Sequence, residues 1–281
     1  MSLKTASPKK PSTKTPRPAV RKKKFRPSDW FAVIATFVVG VGGWELFVRV
    51  RDVAEIVLPA PSLIASKLYD GIVYGTFLDN LRYTLTETIL GFAIAAVLGI
   101  GLGALVSEIR WVRKAIYPYV VAFQTVPKIA LAPLLVIWFG FGMTSKVIVA
   151  VTVAFFPVIV NTIEGLQNTE AQRIDLIRAM GGGRLEIFRR VKLPSALPYI
   201  FAGLDAAIVL SLLGAVVGEF MGARAGLGNQ ILTFNAVLDI AGSFAVLVLL
   251  SVIGFLLHVV LVAVQKKVVF WTKVESVSSG A

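Results

Sequence analysis

Six stretches of this chain are apolar for long enough to cross a bilayer, and that alone removes most folds from consideration. A hydrocarbon layer about 30 Å thick needs roughly 20 helical residues at about 1.5 Å each. Runs of that kind cover residues 30–50, 84–106, 117–139, 145–164, 197–222 and 243–264. None alternates polar and apolar residues with a period of two, and in lipid a helix satisfies its own backbone groups. The expected fold class is an all-α membrane protein with six transmembrane helices. Composition agrees, because 56% of the residues are hydrophobic and 16% charged, where a soluble domain carries about 25% charged residues. Cysteine is absent, which excludes disulfides, thiolate metal sites and a thiol nucleophile.

The net charge is +13, and its distribution orients the helices. Six crossings put both termini on one face. Counting the N-terminal tail to Arg26, then Arg110, Arg113 and Lys114, then Arg173 to Lys192 and the C-terminal tail, that face carries twenty-two Lys and Arg residues. The opposite loops and helix ends hold six: Arg49, Arg51, Lys67, Arg82, Lys146 and Arg224. The positive-inside rule therefore makes the tails and the loop at 169–194 cytoplasmic. Topology accounts for most of the charge, and no nucleic-acid partner is needed to explain it.

The chain divides accordingly. Residues 1–29 are expected to form a disordered basic cytoplasmic tail whose RKKKFR cluster at 21–26 reads either as a topology determinant near anionic headgroups or as a specific lipid or protein site. Residues 30–50 are the first, retained helix. An extracytoplasmic loop, 51–83, opens on prolines and then spaces Leu63, Ile64, Leu68 and Ile72 as a short amphipathic helix does. Residues 84–265 hold the other five helices, and 266–281 form a cytoplasmic tail. At the glycine-rich turn 139–146, Ser145 is expected to cap the next helix.

The loop at 169–194, TEAQRIDLIRAMGGGRLEIFRRVKLP, is the long polar interruption. Thr169 and Gln172 have capping-box spacing, and Ala171, Ile174, Ile177 and Met180 then share a helical face. The glycines at 181–183 stop that helix. A second short helix follows, with Leu185, Phe188 and Val191 on one side and Arg184, Glu186, Arg189 and Arg190 on the other. An apolar ridge with a basic rim suits either a groove on a soluble partner or the ends of the protein's own helices.

From Asp175 to Pro194 this loop resembles the EAA loop of the permease subunits of binding-protein-dependent ABC importers. That pattern is Glu-Ala-Ala, three residues, Gly, nine residues, then Ile-x-Leu-Pro. Here Asp175, Leu176 and Ile177 stand at the Glu-Ala-Ala positions, Gly181 at the glycine, Val191 at the isoleucine, and Leu193 and Pro194 at the end. The departures are Asp for Glu and two bulky residues for the alanines. LPAPS at 58–62, PLLVIWFGFG at 133–142, FFPVIVNTIEG at 155–165 and GLGNQI at 226–231 are similar to stretches of the nitrate, sulfonate and taurine type, which includes importers of pyrimidine and riboflavin vitamins. The resemblance implies a type I ABC importer permease fold in the cell (inner) membrane, with 169–194 as the element that couples to ATPase subunits. It implies as partners two ATP-binding subunits, an extracytoplasmic solute-binding protein and a second copy of the permease as a homodimer.

No glycine is followed by Lys, so the chain holds no GxxxxGK[ST] phosphate loop, and ATP hydrolysis is expected in a separate subunit. The chain itself is not expected to be an enzyme or to need a cofactor. Gly99, Gly101 and Gly103 lie within an apolar run and follow no strand. Glycines spaced by four, as in Gly99/Gly103 and Gly214/Gly218/Gly222, instead let membrane helices approach closely. Ionisable groups within spans need partners or water. Lys128 lies in a span interrupted by Pro127 and Pro133, beside Gln124, and such a broken helix either lines a solute path or holds an internal polar network. Asn161 and Glu219 complete the candidate path residues. His258 is the sole histidine, which rules out a multi-histidine metal site, and is expected to bridge helices. Two other classes compete with the importer: a secondary transporter driven by an ion gradient, and a membrane scaffold or sensor with a docking loop.

Overall fold

A computed structural model describes residues 27–271, with side chains from residue 31 onward. Most of the basic tail expected over 1–29, through residue 26, and the C-terminal tail from residue 272 lie outside the described residues. The described residues are helical, with no strand among them.

The chain divides after Trp44 into two compact units. The first contributes most of helix α1 (Pro27–Val50), whose Phe31, Phe37 and Val39 side chains are largely exposed. A helix this long and apolar, with its side chains uncovered, is at home in lipid.

The second unit is built on α3 (Phe77–Glu108), α6 (Met143–Gln167) and α9 (Leu193–Phe220). These three helices share a core that includes Ala95, Ala154, Val158, Ile200, Leu204 and Ala207. Lipid is as apolar as leucine, so burial alone does not drive such helices together. Close van der Waals contact does, and small residues permit it. A Cβ added at Gly99 would lie 2.7 Å from Val158 Cβ, and one at Gly103 2.7 Å from Thr162 Cβ. On α9, a Cβ at Gly214 would meet Ala150 Cα at 2.7 Å. The four-residue glycine spacing therefore marks helix crossings. Gly222 departs from that role, because it follows the end of α9 at a φ of 110° and turns the chain.

Around this core lie α2 (Pro61–Val73), α4 (Arg110–Gln124), α5 (Ala132–Phe139), α7 (Ala171–Ala179), α8 (Arg184–Ile187), α10 (Leu227–Ala236) and α11 (Ile240–Val268). Helix α2 is the expected amphipathic helix, with Ile64 buried and Pro61 in the first turn, where a missing amide costs nothing. Its Lys67 Nζ donates to Asp239 Oδ2 (2.7 Å), and the other Asp239 oxygen accepts the Gly242 amide (2.9 Å) at the start of α11. Burial pushes the Asp239 carboxyl up, but the Lys67 and Gly242 hydrogen bonds and the Lys67 charge outweigh it and hold it below its ordinary value.

Five helical segments are long and apolar enough to cross a membrane, one of them α9 prolonged back to Arg184. The expected third span is not a single rod, because α4 meets the Lys128–Phe139 segment at a bend of 85°. Pro127 has no amide to donate and disfavours helical backbone at Val126, so the chain makes a tight 3₁₀ turn at Lys128–Leu131 before α5. Counted as one broken span, this pair makes the sixth crossing.

Two expected caps are corrected. Ser145 lies inside α6, which begins at Met143, and its hydroxyl donates to the Gly142 carbonyl (2.9 Å). Thr169 and Gln172 form no capping box: Glu170 precedes α7 without a side-chain cap, and Thr169 donates to the Leu166 carbonyl (3.2 Å).

Candidate functional site

The 169–194 segment lies at one end of the three-helix core. Helix α7 ends in a complete glycine cap: Gly181 has a φ of 83°, its amide bonds the Arg178 carbonyl (3.0 Å), and the Gly182 amide bonds the Ile177 carbonyl (2.9 Å). This paired arrangement needs a left-handed residue after the helix, which glycine supplies without a Cβ penalty. Beyond the elbow, α8 runs through a wide π turn at Phe188–Lys192 directly into α9, with Pro194 in the first turn of α9. The second short helix is thus an extension of a span and not a separate piece. Lys192 Nζ donates to Glu108 Oε1 (2.7 Å), which ties the turn to the end of α3.

The apolar face divides differently from the expectation. Val191 and Ile187 are buried, and Leu193 packs on the core. Leu176, Met180 and Leu185 point outward at 61%, 76% and 69% exposure. Met180 therefore leaves the face expected for it with Ile174 and Ile177, and Leu185 leaves that of Phe188 and Val191. The reason is local: α7 ends at Ala179, so Met180 is already its C-cap, and the π turn at Phe188–Lys192 changes the angular spacing between Leu185 and the pair Phe188 and Val191. Asp175 pairs with Arg178 (2.9 Å) in the open. A cavity of about 490 Å³ lies beside the segment, bounded by Arg173, Leu176, Ile177, Arg190 and Pro194 among others.

Of the four candidate path residues Lys128 and Gln124 meet, and Asn161 and Glu219 are each held by partners of their own. At the break, Lys128 Nζ donates to the Gln124 carbonyl (2.8 Å) and lies 4.5 Å from the centre of the Phe156 ring, so a carbonyl and a π face hold its charge. Asn161 bonds the Pro157 carbonyl of its own helix (2.8 Å) and packs where α9 offers Gly203. Glu219 is fully buried at the opposite end of the core from the 169–194 segment. There Thr84 donates to Glu219 Oε1 (2.7 Å), and the Gly228 amide donates to Oε2 (2.5 Å). Glu87 and Lys146, also buried, face this carboxylate from α3 and α6. His258 bridges helices as expected, with Nδ1 2.5 Å from Asp205 Oδ1.

Residues 91–270 match the family described as the binding-protein-dependent transport system inner membrane component. The chain belongs to that family. It is 37% identical over 230 residues to the formylaminopyrimidine transport permease protein ThiX of Halalkalibacterium halodurans, covering 82% of this chain and 91% of the relative. It is 32% identical over 228 residues to the riboflavin transport system permease protein RibX of Chloroflexus aurantiacus, covering 81% and 85%. In fold it is similar to the inward-facing methionine ABC transporter MetNI, with a TM-score of 0.60 and 21% identity over 68% of this chain and 95% of that one. The protein is therefore an ABC importer permease subunit with a type I permease fold, and neither a secondary transporter nor a scaffold.

In this permease, sequence reasoning left the polar cluster around Glu219 unassembled. Sequence reasoning singled out Glu219 as a path candidate and counted Lys146 with the basic residues of the opposite face; their shared location with Glu87 required the α3–α6–α9 packing. Asn80 and Gln230, which bond each other (2.9 Å), carried no signal of their own.

Proposed function

We propose that this permease imports a small polar nitrogen heterocycle of the vitamin-precursor class. It works in the inner membrane with two ATP-binding subunits, a second copy of itself and an extracytoplasmic solute-binding protein. The observation that carries the coupling role is the outward ridge of Leu176, Met180 and Leu185, set among arginines on an element fixed by Gly181 and continuous with α9. An apolar ridge of this kind fits a groove on a soluble ATPase. Leu176 makes the contact, Asp175 and Gly181 hold the shape of α7, and Val191, Leu193 and Pro194 anchor the segment to the core. With α4–α5 counted as one crossing, both termini and this segment face the cytoplasm, as the basic residues require. The solute passes along the face carrying the α4–α5 break, where Gln124 and Lys128 supply polar groups in an otherwise apolar span. The chemical class of the solute rests on ThiX and RibX, both named for planar, polar heterocycles.

Affinity purification of the intact chain tests the assembly, and uptake into proteoliposomes tests the solute. A co-purifying protein with a GxxxxGK[ST] loop, and ATP-dependent uptake of formylaminopyrimidine in preference to taurine, are the expected results. Transport by the isolated chain without ATP would overturn the coupling role, and preference for taurine would overturn the solute class.

A further inference from the structure

At the end of the core remote from the 169–194 segment, helix α10 is fastened by its first amides. The Gly226 amide donates to Asn80 Oδ1 (2.8 Å), the Leu227 amide to Thr84 Oγ1 (2.9 Å) and the Gly228 amide to Glu219 Oε2. A helix N-terminus presents unpaired donors and a positive dipole end, so a buried carboxylate there is a strong partner. The two glycines make the approach possible. A Cβ at Gly226 would collide with the Glu219 carboxylate, and one at Gly228 would lie 2.8 Å from Oε2. Gly226 also holds a φ of 113°, and Gly222 one of 110°, so the connection from α9 to α10 bends at two left-handed residues. At the other end of α10, Leu238 has a φ of 59°.

A second observation sets this arrangement apart from an ordinary cap. Glu87, 2% exposed, is hydrogen-bonded side chain to side chain with Glu219, so one of the two carboxyls carries a proton, while Glu87 Oε2 meets no donor among the described residues. Lys146, 6% exposed, gives its protons to the carbonyls of Phe141 (3.1 Å) and Gly142 (3.3 Å). The Glu87–Glu219 pair thus holds a proton and at most one negative charge, with the Lys146 ammonium in its neighbourhood but bonded to carbonyls. If α10 withdraws its amides, the Glu87 hydrogen bond and the neighbouring Lys146 charge stay with Glu219, so the carboxylate is not left bare.

We propose that α10 is an outer gate of the permease, held shut by a latch in which Asn80, Thr84 and Glu219 occupy its N-terminal amides, and that the latch releases in each transport cycle. This rests on the importer reading above. Glu219 acts here as a positioning residue of the gate and does not line the solute path.

The chain has no cysteine of its own, which makes the test direct. Thr76 and Gln230 approach each other (3.4 Å) beside the three amide contacts. A Thr76→Cys/Gln230→Cys permease, in the complete transporter in proteoliposomes, is bridged with a short bis-methanethiosulfonate. Bridging is expected to abolish ATP-driven uptake of formylaminopyrimidine, and a reductant to restore it. Uptake by the bridged protein at the unbridged rate would overturn the latch.

A second variant needs no solute. Thr84→Val keeps the shape but removes the bonds to Glu219 and Leu227. Loss of one or two net hydrogen bonds shifts a two-state equilibrium about tenfold toward release. ATP hydrolysis without the binding protein should rise by about that factor, since the coupled ATPases then work against a weaker latch. Unchanged hydrolysis would count against the gate. If the wild-type complex takes up no formylaminopyrimidine, the solute class falls, and the Thr84→Val hydrolysis result alone decides the latch.

Discussion

The three glycines at 181–183 allow the elbow of the 169–194 segment to be tested one backbone torsion at a time. Gly181 holds a φ of 83° with no atom within 4 Å of where a Cβ would stand. Replacement by Ala therefore causes no clash, and its whole effect is the cost of a left-handed L-residue, about 1–2 kcal/mol. Gly183 also has open space, but its φ of −80° is ordinary for any residue. Ala there loses a modest N-cap preference and gains a stiffer unfolded chain, so the net change stays within about 1 kcal/mol of zero. The two substitutions add the same methyl group two positions apart and differ only in the torsion they must adopt. If the ATPase docks on the elbow as described, about 1–2 kcal/mol corresponds to docking weaker by roughly 5- to 30-fold for Gly181→Ala, with Gly183→Ala close to wild type. The measurement is the dissociation constant of the purified ATP-binding subunit for permease in nanodiscs, with the thermal midpoint of each variant alongside. Neither midpoint should move much, because α7 contributes no buried residue. Equal affinities for the two variants would refute the claim that the left-handed cap sets the docking shape.

Two further outcomes follow from the packing and from the charge tie at α2. Gly214→Val places a side chain where a Cβ already meets Ala150 Cα at 2.7 Å; overpacking of this kind costs about 1–3 kcal/mol, so the thermal midpoint in detergent should fall, whereas Gly254→Ala, whose Cβ would have Leu212 Cδ2 at 3.4 Å, should be tolerated. Because the folded state holds the Asp239 carboxyl below its ordinary value, its contribution is fully present above the unfolded value of about 4 and is lost as pH falls through the lower folded value. Asp239→Asn keeps an acceptor for the Gly242 amide but removes the charge facing Lys67, so the acid limb of a stability profile between about pH 5 and pH 2 should be shallower in the variant.

How much of this was legible in the sequence depends on the range of the interaction. Spans are set by the length of apolar runs, a local property, and helices accordingly occupy each expected run apart from the break at 125–127 and the turn at 221–222. The break before Lys128 was legible because Pro127 acts on its immediate neighbour, and the end of α7 because a glycine triplet acts on the backbone it belongs to. The outward ridge was only half legible. Periodicity assigns residues to one face of one regular helix, whereas Met180 is already the C-cap of α7 and the π turn at Phe188–Lys192 takes Leu185 out of phase with Phe188 and Val191, so both emerged on the open side. The Thr84–Glu219 bond joins residues 135 positions apart. Nothing local encodes it, and only the small-residue crossings of α3, α6 and α9 bring the two within reach.

Those crossings also bear on how a docking event at one end would be felt at the other. Helix α9 is 28 residues long, or about 42 Å at 1.5 Å per residue, and it begins in the π turn that Lys192 ties to Glu108 on α3. The same two helices end their shared course at the Thr84–Glu219 bond beneath α10. Between these ties each of the two helices seats on α6 through glycine and alanine, with backbone atoms close to side-chain carbons, and such contacts have little room to absorb a displacement by rotamer changes. A tilt of α9 driven by a partner on the 169–194 segment would therefore either carry Glu219 away from the α10 amides or pull α3 with it. The second outcome is opposed by Gly91, Gly99 and Gly103, which seat α3 on α6. The weaker joint is the latch, a few hydrogen bonds against the packed length of a helix, and it is the joint that would give way first.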